Sequence, residues 1–226
     1  MKTKKPVAKR RAENEGSRAA TTKTKPLKGM AVHDALVTAA ERLLTKYTPQ
    51  KITTSMVLKE ARVARGSLYH HFRDLSHLLE TALIMAFSRY VDANIQMLQD
   101  VVLGAQTRAD LVSGLKQITA ISQGESRKDS RAARVRLISY SEKNPRLQQA
   151  LEEVQDRLTT ELEKIFLEAK HRGWIRADIP PRAAAVFIQS YTLGKIVDDL
   201  VPQPIPESDW NSLIGLFMER TLLQPD

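Results

Sequence analysis

The stretch from Thr53 to Phe72 concentrates side chains that can donate hydrogen bonds to a polyanion. The donors in its second half are Arg65, Ser67, Tyr69 and His70. Leu68 and Phe72 stand four residues apart, so both can turn towards a core while the donors face outward. A short helix with donors on one face is suited to the major groove of DNA.

Two helical patterns separated by a tight turn must position these donors. Met56, Val57, Leu58 and Ala61 can face inward on the first helix, and the turn follows at residues 62–64. Thr53 or Thr54 can cap this helix, whose exposed N-terminal amides attract a phosphate. The second helix begins near Arg65. This arrangement predicts a helix-turn-helix.

Basic charge is concentrated beside this unit. The net charge is +9 over 226 residues, yet residues 1–29 alone hold ten lysines and arginines against two glutamates. Residues 30–90 hold eight against five, and residues 91–226 hold seventeen against nineteen. We expect residues 1–29 to form a disordered basic arm. It either serves as a leader or collects phosphate contacts that increase the salt dependence of DNA binding.

The composition excludes several other classes of protein. There is no cysteine, so disulfide frameworks, thiolate metal sites and cysteine nucleophiles are ruled out. No apolar run reaches the roughly 20 residues of a membrane helix, and no signal peptide is visible. We therefore expect a cytoplasmic protein that is not bound to a membrane.

Helical periodicity extends along the rest of the chain and predicts an all-α fold of about nine helices. The first runs from Met30 to Tyr47, and a long fourth helix follows a cap at Asp74 or Ser76. Thr107 with Asp110 predicts a capping box for the fifth. The remaining predicted helices are the sixth at Ser126–Ser141, the seventh at Asn144–Arg172, the eighth at Pro181–Val201 and a ninth capped by Ser208.

The segment Val63-Ala64-Arg65-Gly66-Ser67-Leu68-Tyr69-His70-His71-Phe72 resembles the recognition-helix signature of the tetracycline-repressor (TetR) family of transcriptional regulators. Ala39-Ala40-Glu41-Arg42-Leu43-Leu44 and Ile52-Thr53 fit the same pattern upstream. The resemblance covers residues 31–80. Beyond them it is architectural and rests on the helix count, the turn at Gly173–Asp178 and the small residues of the eighth helix.

The resemblance implies a homodimer that binds double-stranded DNA at a palindrome. It also implies a cavity among helices four to eight, whose occupation by a small molecule moves the fourth helix. The three implied parts are a disordered arm at 1–29, a DNA-binding domain at 30–76 and an effector-binding and dimerisation domain at 77–226. The residues expected to bind DNA are Thr53, Thr54, Arg62, Arg65, Gly66, Ser67, Tyr69, His70 and Arg73.

Four positions depart from the family pattern. Arg62 replaces the usual turn glycine, which best tolerates a positive φ. Ala64 replaces a serine cap, at a cost to the following helix of about 1 kcal/mol. Leu58 replaces a small alanine, and Leu75 stands where many members place a phosphate-binding lysine. Arg62, Arg65, Arg73 or the basic arm could supply that charge instead.

The expected ligand cavity is mainly apolar. Its candidate lining residues are Met85, Tyr90, Met97, Ile118, Ile138, Tyr140, Phe166 and Tyr191, although the same side chains can serve as core packing. Arg127, Arg131 and Arg134 fall on one face of the sixth helix. They form either a solvated surface or a site for an acidic ligand headgroup or partner protein.

The last two helices are expected to form the dimer interface, or else to close the core of the monomer. The candidate interface residues are Ala184, Ile188, Tyr191, Lys195, Trp210, Leu213, Ile214 and Phe217. A two-fold dimer would match a two-fold operator.

No motif predicts catalysis, a cofactor or a metal site. The histidines lack a ligand spacing that binds zinc, and no phosphate loop or nucleophile motif is present. We therefore expect a DNA-binding regulator, most simply a repressor released by a small hydrophobic or amphipathic ligand. Two alternatives stay open: a regulator of the same fold controlled by a partner protein or by no ligand, and a helical enzyme of unrecognised type.

Overall fold

A computed structural model describes residues 29–223 of the chain. Within this range the chain forms helices and no strand, apart from one isolated bridge between Ile175 and Leu223. The helices are α1 (Gly29–Leu44), α2 (Thr54–Ala61), α3 (Arg65–His71), α4 (Leu75–Gly104), α5 (Arg108–Gln123), α6 (Lys128–Ser141), α7 (Pro145–His171), α8 (Pro181–Gly194), α9 (Ile196–Asp199) and α10 (Glu207–Phe217). The predicted all-α fold is confirmed.

Side-chain caps begin four of these helices where the sequence predicted them. Thr53, Asp74 and Asn144 each accept a hydrogen bond from the backbone N–H three residues further on. Thr107 and Asp110 form a reciprocal capping box at the start of α5. Each cap satisfies an amide that has no partner within its own helix.

The C-terminal helices differ from the prediction in two respects. The predicted eighth helix stops at Gly194 and continues as the short α9, so it does not reach Val201. Ser208 is not the cap of α10: Pro206 occupies that position, and the Ser208 hydroxyl bonds to Asp209 instead. A proline restricts the backbone before the helix and so can define its start without a side-chain acceptor.

Two hydrophobic cores lie at opposite ends of α4. The first packs α1, α2 and α3 against the start of α4, with Leu36, Val57, Leu68 and Leu78 fully buried. The second packs the remainder of α4 against α5 to α10, and α4 and α7 form its longest contact. Leu78, Leu79 and Ala82 place the beginning of α4 in the first core, so this helix belongs to both.

The first core therefore extends past residue 76, where the sequence placed the domain boundary. The division into 30–76 and 77–226 stays a prediction. The expected basic arm at residues 1–29 lies outside the described residues except for Gly29, at which α1 begins.

Candidate DNA-binding surface and ligand cavity

Helix α3 presents polar groups to solvent and apolar groups to the first core. Arg65, Gly66 and His70 are exposed, as is Tyr69 with 51% of its surface accessible. A buried face holds the helix in place through Leu68 and Phe72, which also ends it. Ser67, another predicted contact, is half-buried. The exposed set can therefore meet a large partner without disturbing the core.

The turn between α2 and α3 depends on a left-handed residue that is not glycine. Arg62 has φ 55° and ψ 42°, and it is the one residue other than glycine with positive φ among the described residues. The backbone N–H of Val63 closes the turn by donating to the carbonyl of Leu58 at 3.2 Å. The departure at Arg62 thus keeps the family's turn geometry while placing a cation at its apex.

Helix α3 begins without a side-chain cap. Ala64 is the N-cap residue in extended conformation, and no side chain accepts the first amides of the helix. Only the backbone contributes there, with Ser67 N–H donating to the Ala64 carbonyl at 3.0 Å. Uncapped amides at a helix start are available to an oxygen from outside the protein, such as a phosphate oxygen.

Three arginines around this unit carry charges that no acidic side chain neutralises. Arg62, Arg65 and Arg73 are exposed and form no ion pair with any carboxylate in the described part of the chain. Nearby cations behave differently, since Arg42 pairs with Glu60 and Arg89 pairs with Glu41. The unpaired guanidinium groups are free to contact phosphates.

Two threonines and Leu75 complete the predicted surface. The Thr53 hydroxyl is exposed at the cap of α2 and lies 3.0 Å from the Ser55 hydroxyl, whereas Thr54 is half-buried. Leu75 packs partly against the first core. Leu75 therefore contributes to packing at the position where the family pattern has a phosphate-binding lysine.

Residues 36–82 match the model of bacterial regulatory proteins of the tetR family. This range contains α2 and α3 with most of α1, and it ends where α4 leaves the first core. These residues therefore form a DNA-binding domain of the tetR family. The match supports a DNA-binding transcriptional regulator.

Solved structures share the fold along most of this chain. A proposed TetR-family transcriptional regulator from Mesorhizobium loti is 14% identical with a TM-score of 0.68, over 84% of this chain and 95% of that one. A proposed transcriptional regulator from Saccharomonospora viridis in complex with choline is also 14% identical, with a TM-score of 0.66 and coverage of 87% and 100%. NemR of E. coli is 17% identical, with a TM-score of 0.65 and coverage of 86% and 100%. No curated protein matches by sequence.

A small cavity of about 70 Å³ lies among α4, α5, α6, α7 and α8. Four predicted residues line it: Tyr90, Met97, Ile118 and Tyr191. The other four do not. Met85 packs against the first core, Phe166 is buried in the second core, Tyr140 packs on its edge, and Ile138 is 40% exposed. All four lie on helices, as their periodic spacing predicted. A helix can have apolar residues on a face that packs in a core as well as on a face that lines a cavity, so periodicity alone does not separate the two.

Polar groups that the sequence did not single out also line the cavity. Asn94, Thr119, Thr192 and Gln189 supply amides and hydroxyls to a wall that is otherwise apolar. Asn94 lies one helical turn after Tyr90, and Thr119 follows Ile118 directly, so proximity to predicted lining residues was the available signal. Gln189 is buried and bonds to Thr159 and to Gln155, its contact with Gln155 being 2.5 Å.

Burial perturbs the tyrosine in this wall. Desolvation raises the pKa of Tyr191 to about 12, and a hydrogen bond with Thr119 opposes the shift only in part. Tyr191 therefore keeps its proton at neutral pH and faces the cavity as an uncharged group.

The arginines of α6 do not form a solvated face, and this sequence alternative is wrong for two of the three. Arg131 is 4% exposed and forms an ion pair with the buried Asp199. Arg134 is half-buried and lines the cavity, while Arg127 lies in the short turn before α6. Helix α8 ends at Gly194, and Asp199 lies in the short α9 that follows. The charge of Arg131 is therefore neutralised by a residue of α9.

The outer faces of α8 and α10 carry an apolar patch, which we call the α8–α10 face: Val186, Phe187, Leu213, Leu216 and Phe217. The rings of Phe187 and Phe217 stack at 4.7 Å and join the two helices. Each of the five side chains is at least 38% exposed. A contiguous apolar patch of this kind marks an interaction surface.

Two of the residues predicted for the dimer interface, Leu213 and Phe217, belong to this face. The others turn inward. Ala184, Lys195 and Ile214 are buried, Ile188 and Tyr191 line the cavity, and the Trp210 indole donates to Gln123 at 3.0 Å. In the single chain, six of the eight predicted residues thus contribute to the core or the cavity wall, and the dimer interface stays a prediction.

Two further observations bear on other classes of function. In the described range no three side chains among His, Cys, Asp and Glu are grouped to hold a metal ion. None of the helices in that range is long and apolar enough to cross a membrane.

Proposed function

We propose that this protein is a TetR-family repressor that binds a palindromic operator as a dimer and is released by a small ligand. The single observation that carries the DNA-binding part is the exposed, unneutralised face of α3 and its turn. Arg62, Arg65, Tyr69 and His70 are exposed there, on a helix anchored by Leu68 and Phe72.

In this proposal the contacts divide by their chemistry. Arg65 and Gly66, at the start of α3, approach base edges. The missing side chain of Gly66 lets the backbone come close to DNA, since a Cβ atom there would point into open space. Tyr69, His70 and Ser67 donate to the sugar-phosphate backbone together with Thr53 and Thr54. Arg62 and Arg73 supply phosphate charge in place of the lysine that Leu75 replaces.

We assign dimerisation to the α8–α10 face. TetR regulators typically dimerise, and the five exposed apolar side chains of this face would be removed from water by a second copy. A two-fold dimer carries two copies of α3, which suits two half-sites about one helical turn of DNA apart.

We assign ligand binding, which causes release from DNA, to the cavity. We assign the transmission of the resulting movement to α4. The same helix provides Leu78, Leu79 and Ala82 to the DNA-binding core and Tyr90, Asn94 and Met97 to the cavity wall. A ligand larger than the cavity must displace part of α4 and so move the core that holds α3.

A selection of genomic DNA by the purified protein tests this function, followed by affinity measurements on the selected site. We expect Arg65→Ala and Tyr69→Ala each to weaken binding at least tenfold, about 1.4 kcal/mol, since each removes a direct contact. Arg136→Ala is the matched control, because Arg136 is exposed on α6 and far in sequence from α3. Unchanged affinity in both α3 variants would refute the assignment of the recognition helix.

The second candidate is a regulator of the same fold that responds to no small ligand. The observation that favours it is the size of the cavity, about 70 Å³, which is less than the 150 Å³ or so that accommodates a benzene ring. It predicts that no small molecule changes DNA affinity, whereas substitutions in the cavity wall change only stability.

A further inference from the structure

Arg134 brings a positive charge to the cavity that nothing in the protein neutralises. It is the one charged residue that lines the cavity within the described part of the chain. Its Nη2 donates to the Gln155 side-chain oxygen at 2.8 Å, and its guanidinium carbon lies 5.5 Å from the centre of the Phe87 ring. Its Nε is buried and donates to no described atom, and it forms no ion pair with a described carboxylate.

A second arginine on the same helix shows how the chain neutralises a charge that it buries for stability. Arg131 pairs with Asp199 through two hydrogen bonds, and its Nη1 also lies within 3.5 Å of the carbonyls of Ser122, Gln123 and Gly124. Arg134 lies one turn further along α6, and its guanidinium contacts Gln155 and the ring of Phe87 instead of a carboxylate. Burying a guanidinium without an anion is costly, so an unpaired one that faces a cavity suggests that the anion comes from outside.

Burial also lowers the pKa of Arg134, chiefly through desolvation. An arginine nevertheless stays protonated in a protein, so the positive charge persists in the cavity. The other polar side chains nearby are neutral, notably Tyr90, Tyr191 and Thr119. No acidic side chain lines the cavity among the residues that the structure describes, and a cationic ligand would therefore meet only repulsion from Arg134.

The remaining wall defines the rest of the ligand. Met97, Leu98, Leu115, Leu158 and Leu162 are apolar and lie on three different helices. A single cation with an apolar surround matches a molecule with one anionic group on an apolar body.

We propose that the cavity binds a small carboxylate with an apolar body, whose carboxylate pairs with the guanidinium of Arg134. A carboxylate fits because its planar oxygens match the guanidinium and its single charge equals the one that is unneutralised. This inference rests on the ligand-released function proposed above and names the class of ligand.

The cavity indicates where the apolar body goes. Met97 and Ile118 line the cavity and also a groove of about 480 Å³ on the outer side of α4 and α5. The ligand body exceeds about 70 Å³ as soon as it holds more than a few carbon atoms, so it displaces these two side chains towards the groove. Methionine rearranges readily because it is unbranched. The movement would separate α4 from α5.

Binding of matched probes to the purified full-length protein tests the inference. Octanoate and benzoate are compared with octanol, benzyl alcohol and octyltrimethylammonium by calorimetry and by thermal unfolding. We expect the carboxylates to bind and to raise the unfolding temperature. Arg134→Met should weaken carboxylate binding about tenfold or more, because a charge-assisted hydrogen bond is lost, while the weaker binding of the alcohols stays unchanged.

Two further variants separate a charge effect from a folding effect. Arg134→Lys keeps the charge and should retain part of the affinity, and Arg136→Met, on the exposed side of α6, should retain all of it. Three results would each overturn the inference: equal carboxylate binding by the parent and Arg134→Met, tighter binding of an alcohol or the ammonium probe, or no carboxylate binding at millimolar concentration.

The DNA affinity of the same samples distinguishes this inference from the function on which it rests. If carboxylates bind through Arg134 and leave DNA affinity unchanged, the proposed release by ligand is wrong, whereas the proposed carboxylate site is confirmed. If an uncharged compound releases the DNA and carboxylates do not bind, the regulator stands and the carboxylate site is wrong.

Discussion

Arg131 and Asp199 form a bidentate ion pair, with Nε donating to Oδ2 at 2.5 Å and Nη2 to Oδ1 at 2.7 Å across 68 positions of sequence. Both side chains are at most 5% exposed. The pair ties α6 to the short α9, and Arg131 also reaches the carbonyls at the end of α5. The pair is one of the contacts that hold α6, the helix that carries Arg134, alongside the packing of Leu137 in the second core.

Arg131→Met should destabilise the fold strongly, by about 3–5 kcal/mol, because it leaves the Asp199 carboxylate buried without a partner. Arg134→Met should change stability little or raise it, since no carboxylate loses a partner. Urea unfolding of both variants measures the difference. The double variant Arg131→Met with Asp199→Leu should recover much of the loss. Equal effects of the two single substitutions would contradict the distinction between the arginines.

Arg62→Gly should stabilise the protein by about 1 kcal/mol, because glycine adopts the left-handed conformation at φ 55° without a steric penalty. Arg62→Ala keeps the Cβ atom and should leave stability near that of the parent. Both should weaken DNA binding by a similar amount, since both remove the cation. Chemical denaturation and DNA affinity, measured on the same samples, separate the two roles of this residue.

Leu213→Glu should convert a dimer to a monomer, because it places a charge in the apolar α8–α10 face. Leu103→Glu is the matched control, as Leu213 is 55% exposed and Leu103 is 52% exposed at the end of α4. Sedimentation velocity reports the mass of each. A dimer that persists in the Leu213 variant, or a control that dissociates equally, would show that the interface lies elsewhere.

Stability should fall as the pH rises from about 10 to about 12, because Tyr191 keeps its proton in the folded protein and loses it on unfolding. The folded pKa lies above the ordinary value, so the contribution of Tyr191 is complete at lower pH and is lost through this interval. The slope from this one group is at most about 1.4 kcal/mol per pH unit. Tyr191→Phe should show a shallower decline in urea midpoint between about pH 10 and pH 12. Identical declines would mean that Tyr191 is not protected by burial.

Local features of the fold could be predicted because their causes lie within a few residues. The caps at Thr53, Asp74 and Asn144 depend on a side chain and an amide three positions away. The left-handed residue at position 62 and the missing cap at Ala64 were predicted from departures from the family pattern, and both are present in the structure. These features also define the recognition unit, so it was the part of the site that the sequence described best.

Contacts between distant helices could not be predicted in the same way. The role of Arg131 depends on Asp199, and the inward orientation of Ile188 and Tyr191 depends on which side of α8 meets the core. Helix α8 has apolar residues all around, as Val186 and Phe187 face outward while Ala185 is buried. Periodicity cannot choose between two apolar faces, and so it could not separate the residues that line the cavity from those exposed on the α8–α10 face.

In the proposed release mechanism, the length of α4 connects the cavity with the spacing of the two half-sites of the operator. Its 30 residues span about 45 Å, and Leu78 in the first core lies about 18 Å along the axis from Tyr90 at the cavity. A tilt of about 5° around the cavity would shift each DNA-binding head by about 1.5 Å. In a two-fold dimer the two shifts add to about 3 Å, close to the rise of one base pair. The tilt of α4 would then set the distance between the two DNA-binding heads, and the fixed spacing between the half-sites would determine which tilt allows binding.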